Sequence, residues 1–144
     1  MAKTSIYEPI LSSVCRNQIW YVNIRKALRP EVKRSVDNHF RRISESQSFD
    51  ELLSRSNERP VVIFKHSISC PISAAAYQEM SRIQDVSLVE VQTARQLSNE
   101  IERRTGVSHE SPQVLVLRNG KVVWEATHWD VKEAQVAKAL RENA

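Results

Sequence analysis

A short apolar strand that leads directly to a cysteine at the start of a helix constrains the fold of this chain most. Residues 61–64 (VVIF) are a continuous β-branched and aromatic run, which is typical of a strand buried on both faces of a sheet. A polar loop follows, and Cys70 then stands immediately before Pro71. Because proline is favoured in the first helical turn, this order predicts that Cys70 caps the helix.

The apolar pattern beyond this point predicts a regular alternation of strands and helices. Gly106 is placed to end a helix, and Asn119-Gly120 is a strong signal for a two-residue hairpin turn. The predicted elements are a helix with a capping box at residues 48–51, the first strand, a helix over 71–81, a strand over 87–91, a helix over 95–104, strands over 113–117 and 121–125, and a helix capped by Asp130.

This order of elements is the plan of the thioredoxin fold. We therefore predict an α/β domain over residues 45–144, with a central four-stranded mixed sheet flanked by helices on both faces. The apolar content of 41% is sufficient to fill such a core, and the chain of 144 residues leaves room for an additional segment.

Residues 1–44 form a basic N-terminal extension with nine Lys or Arg and three acidic residues, so the segment carries a net charge of +6. We expect it to be disordered or partly helical, or to reflect a start codon assigned too far upstream. A basic arm for an anionic membrane or for nucleic acid is the alternative, but no nucleic-acid motif is present. Because the sequence has neither a secretory signal nor a long apolar run, we expect a cytoplasmic protein without membrane contact.

Cys70 is the residue in which we expect the chemistry to reside. At a helix N-terminus, unpaired backbone N–H groups and the helix dipole favour the thiolate over the thiol. The thiolate is the species that attacks disulfides. The alternative is that Cys70 is an inert, buried apolar residue, but its place in a strand-to-helix loop argues against core burial.

Ser73 occupies the position that a second cysteine takes in a dithiol site. Cys-x-x-Ser cannot close an internal disulfide, so a mixed disulfide on Cys70 must be resolved by an outside thiol. The Ser73 hydroxyl either donates a hydrogen bond to the thiolate or is simply a polar group of the first helical turn. Cys15, in the basic segment, lacks a surrounding motif, and we expect it to be incidental rather than a resolving thiol.

Ser111-Pro112 precedes the hairpin, where thioredoxin-fold proteins carry a cis-proline that faces the active cysteine. We therefore expect a cis bond here, which would let the Ser111 backbone pair with a bound peptide; a trans proline that begins a strand is the alternative. His66, His109 and His128 are candidates for tuning a thiolate, although a structural role is the simpler reading of each. No Cys/His spacing resembles a zinc site, and we expect no metal.

Several stretches resemble one known family, the monothiol bacilliredoxins of the bacillithiol system. The resemblance extends from residue 47 to about residue 140. The matching stretches are 64–67 (FKHS), 69–73 (SCPIS), 94–98 (ARQLS), 105–107 (TGV), 109–113 (HESPQ), 119–124 (NGKVVW) and 128–129 (HW).

The resemblance implies a thioredoxin-like protein that removes bacillithiol from bacillithiolated proteins under oxidative stress. It implies Cys70 as the attacking thiol, with bacillithiol or another low-molecular-weight thiol as co-substrate and no further cofactor. The implied substrate groove comprises His66, Ser69 and Pro71 beside the cysteine, and Ser111 and Pro112 opposite it. Two alternatives are a thioredoxin-fold binding module whose cysteine is only a redox sensor, and a dithiol reductase that uses Cys15.

Overall fold

In the computed structural model, residues 40–144 are described, and they contain five β-strands and four α-helices. The elements in chain order are β1 (Phe40–Arg42), α1 (Ser46–Arg55), β2 (Val61–His66), α2 (Pro71–Met80), β3 (Val86–Glu90), α3 (Arg95–Thr105), β4 (Gln113–Arg118), β5 (Lys121–Thr127), a 3₁₀ turn (His128–Asp130) and α4 (Glu133–Glu142). No helix among these residues is both long and apolar enough to cross a membrane.

The five strands form one mixed sheet in the order β1-β3-β2-β4-β5. Strands β1, β3 and β2 are mutually parallel neighbours, whereas β4 is antiparallel to β2 and to β5. Lys65 near the end of β2 therefore lies opposite Gln113 at the start of β4. This topology brings the loop after β2, which leads to Cys70, to the same edge of the sheet as the loop that ends in Ser111-Pro112.

Alternate residues of β2 contribute to two separate hydrophobic cores. One core lies under α1 and α3 and contains Val61 and Ile63, and the other lies under α2 and α4 and contains Val62 and Phe64. This alternation follows from the two-residue period of a strand. The continuous apolar run in β2 is thus required because both faces of the strand are buried.

The sheet has one strand more than the four predicted. Strand β1 lies within residues assigned from sequence to the basic extension; it pairs with β3, and Ile43 after it is buried in the core. Two of the three β1 residues are exposed arginines, so their side chains give no apolar pattern. Residues 1–39, with Cys15, lie outside the described part of the chain.

Two predicted helix caps are wrong. The first helix begins at Ser46 with Glu45 at its N-cap, so Ser48 lies inside the first turn. Asp130 belongs to the 3₁₀ turn, and α4 begins only at Glu133. In both cases the backbone enters the helix away from the residue whose side chain is best suited to cap it.

Three local predictions of backbone conformation are confirmed. Gly106 ends α3 in the left-handed region at φ 72°. Asn119 and Gly120 both have positive φ, at 52° and 72°, as a two-residue hairpin turn requires. The Ser111–Pro112 peptide bond is cis.

Candidate functional site

Cys70 is the N-cap residue of α2, as the sequence predicts. Its backbone is extended, its carbonyl oxygen accepts a hydrogen bond from Ala74 N at 3.0 Å, and its own N–H donates to Ser67 O at 3.3 Å. The side chain makes no capping hydrogen bond, and the thiol is free and half-buried. The sulfur is therefore attached at the positive end of a ten-residue helix and remains accessible to a reactant.

The loop between β2 and Cys70 is held by the side-chain amide of Gln92. Gln92 Nε2 donates to Ser67 Oγ at 2.7 Å and to Ser69 Oγ at 3.3 Å, while Gln92 Oε1 accepts from Ile68 N at 3.3 Å. All three bonds lie at the solvent-exposed surface. One exposed amide thus contacts all three residues that precede the cysteine.

Ser73 is fully buried and connects the two loops at this edge of the sheet. Its Oγ accepts from Ser67 N at 3.2 Å and lies 3.5 Å from Ser111 Oγ. Because the first bond uses an oxygen lone pair, the hydroxyl hydrogen of Ser73 stays available to Ser111 or to the Cys70 thiolate. Whether it serves the thiolate stays a prediction.

His66 ends β2 and is 9% exposed, with its ring against Phe64 and Tyr77. Its Nδ1 is buried and has no hydrogen-bond partner among the described residues. Burial lowers the pKa of His66, and the carboxylate of Glu90 only partly offsets this effect. The imidazole is therefore neutral near pH 7.

A surface groove of about 360 Å³ lies between the Cys70 loop, the start of α2 and the ends of β1 and β3. Its size is at the lower end of the range for small-molecule sites. The groove is lined by Arg42, His66, Ile68, Ala74, Tyr77, Gln78 and Glu90. A larger pocket of about 490 Å³, between the end of α3 and the β4–β5 hairpin, contains none of the predicted site residues.

Lys65, next to His66, points to the opposite face of the sheet and is 0% exposed. Its Nζ lies 3.4 Å from His109 Nδ1, which is also 3.0 Å from Ser98 Oγ. Burial lowers the pKa of Lys65 from 10.5 to about 8, although the negative charge of Glu102 acts in the other direction. A buried, titratable cluster thus lies beneath the loop that ends in Ser111-Pro112.

Two large apolar side chains border the site and are exposed to solvent. Ile68 in the Cys70 loop is 64% exposed, and Trp129 in the 3₁₀ turn is 63% exposed. The turn is anchored to the cis-proline because His128 N donates to Pro112 O at 2.9 Å. Exposed residues of this size beside a reactive group are typical of contacts with a partner protein.

The predicted site residues fall into two groups. Cys70, Ser69, Pro71, Ser73 and Ser111-Pro112 all lie at one edge of the sheet, and Ser73 bridges the two loops. His66 is nearby, with its ring packed against Tyr77, and it lines the groove. The sequence analysis missed Gln92 and the burial of Lys65. Among the described residues, no group of three His, Cys, Asp or Glu side chains is arranged to hold a metal ion.

Comparisons with known proteins agree with this geometry. The family profile described as monothiol bacilliredoxin BrxC matches residues 41–136. A solved structure with a thioredoxin fold is 32% identical, with a TM-score of 0.67 over 72% of this chain and 96% of that chain.

Thioredoxins are similar in fold alone. Fasciola hepatica thioredoxin is 12% identical, with a TM-score of 0.55 over 72% of this chain and 99% of that chain. Thioredoxin f from spinach chloroplast is 18% identical, with a TM-score of 0.54 over 74% of this chain and 94% of that chain.

Proposed function

Because this chain belongs to the monothiol bacilliredoxin family and is a thiol redox protein, we propose that it removes bacillithiol from protein mixed disulfides through Cys70. The observation that carries the proposal is a free, half-buried cysteine at a helix N-terminus, with Ser73 where a dithiol site has its second cysteine. We place this activity in the cytoplasm, where thiol exchange proceeds against a reducing thiol pool.

The reaction proceeds in two exchanges. The Cys70 thiolate attacks the bacillithiol sulfur of a protein–bacillithiol disulfide, which forms a Cys70–bacillithiol disulfide and releases the protein thiolate, which takes up a proton from water. A second low-molecular-weight thiolate then attacks the bacillithiol sulfur, which restores the Cys70 thiolate and leaves a small disulfide. Each step breaks one S–S bond and forms another, so no further oxidant or cofactor is required.

The surroundings of Cys70 support separate places for the two halves of the substrate. The groove lined by His66 and Glu90 also includes Ile68 and Ala74, which lie in sequence on either side of the cysteine, and it is polar enough for a small hydrophilic thiol. On the other side, Ser111 and the exposed Trp129 border the site, where an extended segment of the target protein would lie. The thiolate attacks between them.

The test uses a reporter protein that carries bacillithiol on its single cysteine. The reporter is incubated with this protein and excess free bacillithiol, and mass spectrometry measures how fast the reporter loses its bacillithiol. We expect wild-type protein to release the reporter thiol, Cys70→Ser to abolish release, and the matched control Cys15→Ser to behave as wild type. Release by Cys70→Ser at the wild-type rate would contradict the proposal. An adduct on wild-type Cys70 without turnover would instead indicate a redox sensor.

A further inference from the structure

A fully buried lysine near the site has no role in the exchange chemistry described above. Lysine is almost never buried without a partner, because removing an ammonium group from water is expensive. Lys65 lies five positions before Cys70 and is 0% exposed. Its ammonium must therefore be held by groups that the fold brings to it.

These groups come from one helix, α3, and the loop that follows it. His109, in the loop after α3, provides Nδ1 at 3.4 Å from Lys65 Nζ. The Oγ of Ser98 in α3 lies 3.0 Å from His109 Nδ1. The negative charge of Glu102, also in α3, favours the ammonium form of Lys65. Because an ammonium group can only donate, a hydrogen bond from Lys65 to His109 requires a neutral imidazole with the lone pair on Nδ1, which the Ser98 hydroxyl also reaches.

The same loop is fastened a second time by Gln113, the residue opposite Lys65 on β4. Gln113 Nε2 donates to Ser108 O at 2.9 Å, and Gln113 Oε1 accepts from Glu110 N at 3.4 Å. The loop ends at Ser111, whose Oγ lies 3.5 Å from Ser73 Oγ. The cluster on the α3 side of the sheet thus determines where the loop meets the Cys70 site on its other side.

We propose that Lys65 and His109 are positioning residues for thiol–disulfide exchange: the Lys65 ammonium, bound to neutral His109, fixes the loop that presents Ser111 to the substrate at Cys70. This inference uses the proposed function for the reaction but not for the identity of the small thiol. Neither residue touches the reacting sulfur atoms, and both act through the loop.

The arrangement makes loop position sensitive to acid. A protonated His109 would place a second cation 3.4 Å from Lys65, and Arg95 would add to the repulsion, while Glu102 and Glu110 oppose it. Burial, followed by the Lys65 charge, lowers the pKa of His109 below its usual value of 6.5. The contact is therefore intact at neutral pH and is lost as the pH falls through the lowered pKa.

Three variants test the proposal. Lys65→Met keeps the length of the side chain but removes the hydrogen-bond donor, and Lys121→Met is the control at an exposed lysine. In His109→Asn, the side-chain oxygen can accept a hydrogen bond from Lys65 but does not titrate. Peptides with a bacillithiol-linked or a glutathione-linked cysteine serve as substrates. For Lys65→Met we expect kcat/KM to fall about tenfold, the loss typical of one buried hydrogen bond to a charged group. Alkylation of Cys70 by iodoacetamide should stay within about twofold of wild type, since the thiolate itself is unaltered.

The pH profile separates positioning from a merely structural role. Wild-type kcat/KM, divided by the rate at which iodoacetamide alkylates Cys70 at the same pH, should show an acid limb as the pH falls through the lowered pKa of His109. His109→Asn should lack this acid limb while it keeps near-wild-type kcat/KM at pH 7.5. An unchanged acid limb in His109→Asn, or wild-type kcat/KM in Lys65→Met, would overturn the proposal.

Amide hydrogen exchange gives a readout that does not depend on the substrate. We expect faster exchange in residues 106–112 of Lys65→Met, with no change in residues 67–70. Equal exchange of residues 106–112 in Lys65→Met and wild type would overturn the inference. If wild-type protein reduces the glutathione-linked peptide but not the bacillithiol-linked one, the proposed substrate is wrong, and the Lys65 test is decided on the glutathione-linked peptide.

Discussion

The two loops that flank Cys70 are held in place by different physical means. The loop over residues 67–69 is bound at Ser67 N by the buried Ser73 hydroxyl, and its other side-chain hydrogen bonds are three surface bonds to one exposed residue, Gln92. The loop over residues 106–112 depends on a buried cluster in which Lys65 and His109 are in contact. Exposed hydrogen bonds compete with water and contribute little net stability, whereas a buried charged group is destabilising once its partner is removed.

Because of this difference, we expect the two loops to respond to mutation on different scales. Changes in the buried cluster should alter the stability of the whole domain and its dependence on pH. Changes at Gln92 should alter the reactivity of Cys70 and leave the fold intact.

The largest effect is the pH dependence of stability due to Lys65. Its pKa is about 8 in the folded protein and 10.5 in the unfolded chain, so between these pH values the unfolded chain binds more protons. Stability therefore rises with pH across this window, by about 3 kcal/mol in total. Urea unfolding of wild type and Lys65→Met at pH 7 and pH 10 should show wild type gaining most of this amount relative to the variant. If the two proteins differ in free energy of unfolding by the same amount at pH 7 and pH 10, Lys65 is not buried as an ammonium.

The next effect is the loss of the His109 acceptor. His109→Ala leaves the Lys65 ammonium buried without its partner, and we expect the free energy of unfolding to fall by about 2 kcal/mol at pH 7.5. The matched substitution Gln92→Ala in the other loop should change it by less than about 0.5 kcal/mol. Equal losses in urea denaturation would remove the distinction between the two loops.

A smaller effect, confined to reactivity, is expected at Gln92. Gln92→Leu removes the three bonds to residues 67–69, and we expect kcat/KM for a mixed disulfide to fall about threefold with no change in stability. Gln92→Glu keeps acceptors for Ile68 N–H and the serine hydroxyls but places a negative charge near the thiolate. In this variant, alkylation of Cys70 by iodoacetamide should be slower than in wild type at low salt and should return to the wild-type rate at high salt. Gln96→Glu, on the exposed side of α3, is the control and should show neither change.

The smallest effect is expected at the exposed rim. Trp129→Ala should leave the unfolding free energy within about 0.5 kcal/mol of wild type, because the side chain is 63% exposed. The substitution should raise KM for a bacillithiolated protein about threefold while leaving KM for a small symmetrical disulfide unchanged. An equal rise for both substrates would place Trp129 in the small-thiol groove instead.

The features that the sequence predicted correctly are local ones. Cys70 before Pro71 reflects the preference of proline for the first helical turn, whereas Gly106 after a helix and Asn119-Gly120 between strands reflect a left-handed backbone that only a few residue types accept. The first of these located the reactive thiol, and the chain order of the remaining elements was enough to indicate the fold. Such signals are readable because cause and consequence lie within a few residues.

What the sequence could not reveal depends on distant partners. Lys65 looks like the solvent-exposed end of an apolar strand, and its burial depends on His109, 44 residues later. Strand β1 forms only because Phe40 pairs with Val86, and parallel pairing leaves no local signature. The residue type at position 73 predicted a monothiol site, but the contact of Ser73 with Ser111 required the fold.

The central claim is that Cys70 alone carries the exchange, with the second thiol supplied from outside. The most direct measurement is the mass of the full-length protein, with peptide mapping, after incubation with the disulfide form of bacillithiol. We expect one bacillithiol bound on Cys70, which excess reduced thiol removes. A protein lighter by two hydrogens with Cys15 and Cys70 joined, or a Cys70 that stays unmodified, would contradict it.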